Sequence, residues 1–124
     1  MERFLKISEF AALSGISRKL LIFYDKNDIL HPKHIDPENG YRYYSYRQID
    51  TASVITSFRE AGMSLDCIRQ YLADKSPENL IRTLTAHERD LDRQIRKLVQ
   101  IKEMIRARTE QTKNRPFRKS RTDI

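Results

Sequence analysis

Two basic side chains, Arg18 and Lys19, directly follow Ser17, a residue type that commonly caps the start of a helix. Side chains in the first turn of a helix can reach base edges when that helix docks in the major groove of DNA. An arginine can then hydrogen bond guanine with two parallel N–H donors, whereas a lysine does so less rigidly. The same pair can equally form an ordinary solvated turn, so these residues alone leave both interpretations open.

Four further side chains have the chemistry to contact phosphate: Tyr24, Arg42, Tyr43 and Arg59. A phenol hydroxyl can hydrogen bond a phosphate oxygen, and an arginine on a hairpin can reach the DNA backbone or the minor groove. Alternatively, the tyrosines at 41, 43 and 44 are packing residues of a strand, and Arg59 is an ordinary exposed arginine.

Residues for other chemistries are sparse. The three histidines stand at 31, 34 and 87, and Cys67 is the one cysteine. His31 and His34 are expected to be solvated loop residues, because Pro32 between them disfavours a shared helical face. A single thiol forms neither an internal disulfide nor a cysteine-cluster metal site, and three glycines cannot supply a phosphate loop. We therefore expect that the protein is not an enzyme, that it binds no cofactor and no metal, and that it is cytoplasmic.

The charge of the chain is unevenly distributed. The formal net charge is +7, but residues 1–73 carry 10 basic and 9 acidic side chains, whereas residues 113–124 carry 5 and 1. Net charge alone is therefore weak support for nucleic-acid binding. The first six residues contain no long apolar run, so neither a signal peptide nor a membrane span is expected.

Local signals predict the elements that position these side chains. Ser8 and Gly15 bound one short helix, and Ser17 begins a second helix through residue 25, which together form a helix-turn-helix. β-forming residues at 33–35 and 41–44 flank a turn rich in Pro, Asn and Gly, which predicts a hairpin wing. Ser45 with Gln48 indicates a capping box for a third helix, and Ser64 begins a fourth.

The longest predicted element begins at Ser76-Pro77 and continues to about Gln111 without glycine. Apolar residues recur along it as a heptad seam: Leu84, Leu91, Leu98 and Ile105 at sevens, with Leu80 and Ile101 at the complementary position. Such a helix would be about 50 Å long, more than a head of this size can cover. The sequence therefore predicts a homodimer. We expect a DNA-binding domain over 1–74, a dimerisation helix over 75–112 and a basic disordered tail or linker over 113–124.

Six segments in one register resemble the MerR family of transcription regulators, and the resemblance covers residues 5 to about 73. They are Ile7-Ser8-Glu9-Phe10-Ala11, Ser14-Gly15-Ile16-Ser17, Phe23-Tyr24-Asp25, Ile29-Leu30-His31-Pro32, Asn39-Gly40-Tyr41-Arg42-Tyr43-Tyr44-Ser45 and Phe58-Arg59-Glu60-Ala61-Gly62-Met63-Ser64-Leu65. The resemblance implies a mostly α, winged helix-turn-helix fold with an antiparallel coiled coil between protomers. It also implies binding to a pseudo-palindromic promoter, activation by DNA distortion, and RNA polymerase as a partner.

By position, Arg18 and Lys19 resemble base-contacting residues of that family, and Tyr24, Arg42 and Arg59 resemble phosphate-contacting ones. Ile22 departs from the pattern, since the family usually has an arginine there, which puts binding strength and target in doubt. An architectural or excisionase-like DNA-binding protein therefore stays an alternative, as does a coiled-coil interaction module with reduced DNA binding. The effector is unknown from the sequence, and the chain is either a fragment or a sensor of an unconventional signal.

Overall fold

The computed structural model describes residues 3–115, in which short helices and a small sheet precede one long helix. The elements in chain order are β1 Phe4–Lys6, α1 Ile7–Ser14, α2 Arg18–Lys26, β2 His34–Ile35, β3 Arg42–Ser45, α3 Gln48–Glu60, α4 Leu65–Ala73 and α5 Pro77–Asn114. The chain divides into a unit that ends at Thr83 and a unit that begins at Leu84. The predicted mostly helical class with a winged helix-turn-helix is confirmed. The predicted tail beyond residue 115 lies outside the described residues, and α5 extends over Lys113 and Asn114.

The helix-turn-helix is built by local caps. The Ser17 hydroxyl accepts the amide of Leu20 at 3.1 Å, as its position before α2 predicts. Gly15 ends α1 with φ +75°, a left-handed conformation that a Cβ disfavours. The start of α1 corrects the prediction: the Glu9 carboxylate accepts the Lys6 amide at 2.8 Å, so the helix begins at Ile7 and Ser8 lies inside it.

The hairpin is the predicted wing with an additional strand beside it. Strand β3 pairs antiparallel with β2 on one side and with β1 on the other. The connecting turn closes because the Gly40 amide donates to the Asp36 carbonyl at 2.8 Å, with Gly40 at φ +72°. Strand β1 was not predicted, and its Lys6 lies opposite Tyr43 in the register.

A serine caps α4 as predicted, whereas α3 begins at Gln48 after Arg47, which provides no side-chain cap. The Ser45 amide donates to Gln48 Oε1 at 2.9 Å, which is one half of the predicted capping box. The other half differs: the Ser45 hydroxyl accepts the amide of Arg47 at 3.1 Å, and Ser45 itself stays in β3. The Ser64 hydroxyl accepts the Cys67 amide at 3.1 Å and begins α4 as predicted.

The core of the first unit joins the sheet to the first four helices. Phe10 and Tyr44 stack with ring centroids 4.5 Å apart, and Leu21, Ile55 and Ile68 are fully buried beside them. The buried Tyr44 hydroxyl makes no hydrogen bond within residues 3–115. Its burial, and then the charge of Asp25, raise the pKa of Tyr44 to about 12.

Helix α5 presents its apolar residues to solvent. The Ser76 hydroxyl accepts the Asn79 amide at 3.1 Å, and the helix runs for 38 residues, about 57 Å. The seam residues Leu84, Leu91, Leu98, Ile101 and Ile105 are 38% to 64% exposed. Hydrogen bonds from Arg93 and Gln94 lower the pKa of Asp90 on this helix. No helix among the described residues is both long and apolar enough to cross a membrane.

Candidate nucleic-acid interface

The first turn of α2 presents the residues that the sequence singled out for base contacts. Ser17, Arg18 and Lys19 are all exposed. The Ser17 oxygen accepts the Leu20 amide, so this serine holds the helix start and still has its hydroxyl proton to donate outward. Neither Arg18 nor Lys19 forms an ion pair in the part of the chain that the structure describes. Two unneutralised cations therefore stand at the end of the helix that would enter a groove.

Arg18 faces Arg42 across a recess of about 240 Å³, which we call the basic recess. It lies between the start of α1 and the wing, and its lining residues are Lys6, Ile7, Ser8, Arg18, Gly40, Tyr41 and Arg42. The three cations come from β1, α2 and β3, and none of these lining residues is acidic. This arrangement concentrates positive potential where an anion can enter. Lys6 and Ser8 were missed, because their place beside the wing follows from the unpredicted pairing of β1 with β3.

Lys19 faces the other side of α2, towards Arg59. These two residues line an open groove of about 470 Å³ together with Ser17, Leu20 and Phe23, and we call it the α2 groove. The predicted contact residues thus fall on both flanks of the helix, Arg18 and Arg42 on one and Lys19 and Arg59 on the other. Phe23 is 42% exposed in this groove, which leaves apolar as well as basic surface available to a base edge.

Tyr24, which the sequence predicts as a phosphate contact, is buried beneath the surface that carries the other predicted contacts. It is only 2% exposed and belongs to the core. The Arg59 guanidinium lies over its ring at 5.9 Å from the centroid, and Arg59 Nη1 donates to the Tyr24 hydroxyl at 3.4 Å. Burial leaves Tyr24 little surface to offer a ligand, whereas Arg59 is exposed. The pair therefore places Tyr24 as a support for Arg59.

The wing residues differ in what they can reach. Arg42 lines the basic recess, but its Nε also donates to Asp25 Oδ2 at 3.3 Å. Tyr43 is half-buried, and its ring centroid lies 6.0 Å from that of His34 on the paired strand. Tyr43 is absent from the residues that line the basic recess.

His31 lies in an exposed loop, as the sequence predicts, and it is also held between two carboxylates. Its Nδ1 lies 2.6 Å from Asp25 Oδ1, and its Nε2 lies 3.1 Å from Asp28 Oδ1. The hydrogen bond to Asp25 raises the pKa of His31 above its ordinary value. Burial opposes this effect, and the charges of both carboxylates and the hydrogen bond to Asp28 add to it. Residue spacing alone gives no signal for this cluster, since Asp25 and Arg42 are 17 positions apart.

Metal-binding side chains do not assemble in this structure. No group of three or more His, Cys, Asp or Glu residues suited to a metal ion occurs within residues 3–115. Cys67 is exposed on α4. Among the described residues, the basic side chains around α2 are therefore the candidate binding site.

Comparison with known proteins identifies the family. The family model described as MerR HTH family regulatory protein matches residues 5–75, and the model described as MerR, DNA binding matches residues 49–108. The multidrug-efflux transporter 2 regulator of Bacillus subtilis is 31% identical over 108 residues, which are 87% of this chain and 39% of that protein. The chain thus spans about two fifths of the length of that relative.

Solved structures agree with this match. The N-terminus of MtaN, the multidrug transporter activator of Bacillus subtilis, superposes with a TM-score of 0.74 at 25% identity, covering 85% of this chain and 97% of that one. EcmrR in its DNA complex superposes with a TM-score of 0.70 at 26% identity, covering 90% of this chain and 41% of that one. The chain belongs to the MerR family of helix-turn-helix regulatory proteins, which are DNA-binding transcription regulators and not enzymes.

Proposed function

We propose that the chain binds duplex promoter DNA as a homodimer and activates transcription by distorting that DNA. The observation that carries the proposal is the set of cations from β1, α2 and β3 that line the basic recess beside the exposed start of α2. Helix α2 enters the major groove, and the wing follows the neighbouring backbone. Residues 1–74 form the DNA-binding domain in this proposal, and residues 75–112 form the dimerisation helix.

Each side chain has a distinct role in this complex. Arg18 and Lys19 contact base edges, because they are exposed and unpaired at the N-terminal turn of α2. Lys6, Ser8 and Arg42 bind a backbone phosphate in the basic recess, and Ser17 donates its hydroxyl proton to the backbone. Arg59 binds a second phosphate from the α2 groove, supported from below by Tyr24. Tyr43 stabilises the wing against His34 and reaches the DNA through its hydroxyl.

A second copy of the chain covers the apolar seam of α5. Leu84, Leu91, Leu98, Ile101 and Ile105 all remain at least 38% exposed. Leucine and isoleucine side chains gain about 1.5 to 3 kcal/mol each when they are fully removed from water, so this row strongly favours association. Heptad spacing matches an identical helix, and an antiparallel arrangement sets two heads at a fixed separation on a pseudo-palindromic site.

Two relatives support action at a promoter by likeness. MtaN is described as a transporter activator, and EcmrR was solved with DNA in the complex named EcmrR-RPo. We infer that this chain likewise acts at a promoter together with RNA polymerase, in the cytoplasm. Bending and untwisting the duplex between two fixed heads has an energy that depends on the intervening sequence. Activation then needs no base contact at the deformed steps.

A binding experiment tests the proposal. A duplex is selected from a random-sequence pool by the wild-type chain, and its affinity is then measured by fluorescence anisotropy. The double variant Arg18→Ala with Arg42→Ala removes two cations that line the recess and is expected to weaken binding at least about thirtyfold, because each such contact contributes about 1 to 3 kcal/mol. The control Arg89→Ala removes a cation from α5 and should leave the affinity unchanged.

The competing function predicts a different result. A coiled-coil interaction module would form the dimer, yet it would enrich no duplex and would bind DNA equally well after the double substitution. The observation that favours this alternative is Ile22, a half-buried apolar residue on α2 where the family resemblance calls for arginine. Circular dichroism and sedimentation of the double variant must match the wild type for its lost binding to count as a local effect.

A further inference from the structure

The carboxylate of Asp25 is shared between two cationic partners on different segments. Its Oδ2 accepts from Arg42 Nε at 3.3 Å, and its Oδ1 lies 2.6 Å from His31 Nδ1. The side chains of Asp25 and Arg42 are 18% and 31% exposed, so this pair is partly shielded from solvent, whereas the His31 side chain is 56% exposed. One residue at the end of α2 therefore couples the loop before β2 to the wing arginine.

We propose that Asp25 is a positioning residue for Arg42, and that protonation of His31 controls how freely Arg42 binds a DNA phosphate. The proposal rests on the proposed function, since it concerns the wing contact within the same interface. Asp25 itself does not touch the DNA in this account. It acts through Arg42 and His31, each of which contacts one of its two carboxylate oxygens.

The geometry around His31 fits the charged imidazolium. Carboxylate oxygens lie against both ring nitrogens, Asp25 Oδ1 at 2.6 Å and Asp28 Oδ1 at 3.1 Å. A neutral imidazole has a single N–H, so one of these two contacts would place lone pair against lone pair. The doubly protonated ring donates to both carboxylates.

The surrounding backbone keeps His31 in this place. Its carbonyl accepts from Gln48 Nε2 at 2.7 Å, and Gln48 Oε1 accepts the amide of Ser45, the last residue of β3, at 2.9 Å. Asp28 holds a left-handed φ of +57°, an uncommon conformation for a residue with a Cβ. The ring, the wing strand and α3 are thus joined through one glutamine.

The local charge balance gives the direction of the effect. With His31 neutral, the two carboxylates face one cation, Arg42, and the cluster is net negative beside a phosphate site. Protonation brings the cluster to neutrality, weakens the hold of Asp25 on Arg42 and lowers the repulsion of DNA. The other polar and charged neighbours are the Tyr44 phenol, whose pKa is raised in part by Asp25, and Lys33, Arg47 and Lys75, which line the groove next to His31.

DNA affinity should therefore fall as the pH rises. One unit charge about 10 Å from two or three phosphates changes affinity by about threefold in a watery medium, so we expect the dissociation constant to rise about threefold between pH 6 and pH 8 at low salt. The variant His31→Gln should lose this dependence. Asp25→Asn removes the carboxylate that restrains Arg42, so it should bind about threefold more tightly than the wild type at pH 8 and depend less on pH.

The experiment measures anisotropy of the selected duplex from pH 6 to pH 8 for the wild type, His31→Gln, Asp25→Asn and the matched control His34→Gln. His34 occupies β2 of the same hairpin and contacts Tyr43 rather than a carboxylate, so its variant should keep the wild-type pH dependence. Proton NMR measures the pKa of the His31 ring directly, which a purely structural role of Asp25 would leave unchanged. This pKa should fall in Asp25→Asn and in Asp28→Asn, and it should rise when duplex is added.

The outcomes separate this inference from the proposed function. Binding with equal pH dependence in the wild type and His31→Gln overturns the role of His31 while leaving the DNA-binding function intact. An affinity of Asp25→Asn at pH 8 that does not exceed that of the wild type overturns its positioning role. No duplex binding by the wild type at pH 6 or pH 8 counts against both, whereas the NMR titration without DNA still decides whether the two carboxylates hold the charged ring.

Discussion

Replacing Leu91 with aspartate places a charge in the middle of the apolar seam of α5. Leu91 is 39% exposed in the single chain, so pairing can remove that remaining surface from water. Complete burial of a leucine contributes about 1.5 to 3 kcal/mol, and this fraction of it gives about 1 kcal/mol per copy, or about 2 kcal/mol for the pair. An unpaired polar group buried in each copy adds a penalty of about 1 to 3 kcal/mol.

Together these terms weaken the dimer by about 4 kcal/mol or more, which is about a thousandfold in its dissociation constant. Sedimentation equilibrium over a wide concentration range measures that constant. The control Ala86→Asp introduces the same charge at an exposed position about 140° away around the helix, and it should leave the constant nearly unchanged. An unaltered dimer mass for Leu91→Asp, or equal weakening by the two variants, would show that the seam does not join the protomers.

Three further predictions concern the head. Tyr44→Phe should leave the free energy of unfolding in urea unchanged or higher, because it removes a buried hydroxyl that has no hydrogen bond within residues 3–115; a loss above about 1 kcal/mol would contradict this. The pKa of His31 is raised in the folded chain, so the charged His31 ring stabilises the fold by at most about 1 kcal/mol, since its ion pairs are exposed. This contribution is full below about pH 6.5 and is lost as the pH rises through the pKa of the folded state. Urea titrations at several pH values check this, and His31→Gln should flatten the difference. Ile22→Arg should add about one phosphate contact, so the plot of log affinity against log salt concentration should steepen by about 0.9. An unchanged slope would show that residue 22 does not reach the DNA backbone.

The sequence predicts those parts of the fold that a few neighbouring residues determine. Ser17, Ser64 and Ser76 each begin a helix as expected, because a serine hydroxyl satisfies an amide three residues later within its own segment. The hairpin follows equally from its turn residues. Strand β1 could not be found in this way, since three residues show no period and become a strand only by pairing with β3.

The candidate site divides along the same line. The start of α2 was predictable, because Ser17 fixes where the helix begins and therefore where Arg18 and Lys19 stand. The burial of Tyr24 and the pairing of Asp25 with Arg42 were not, because they depend on which residues of distant segments meet in the folded chain. The heptad seam lies between these cases. Its spacing can be read from the sequence, but only the structure shows that its residues from Leu84 to Ile105 stay exposed in the described part of one chain.

The central position of β3 has a practical consequence for anyone who shortens or tags this protein. Deleting the residues before Ile7 would leave the residues of every helix in place. It would nevertheless remove strand β1, Phe4–Lys6, which pairs with β3. The freed edge of β3 would then offer unpaired amides to other molecules, a common origin of aggregation. Purification tags are accordingly better fused at the carboxyl end, far along the chain from Lys6 and the wing.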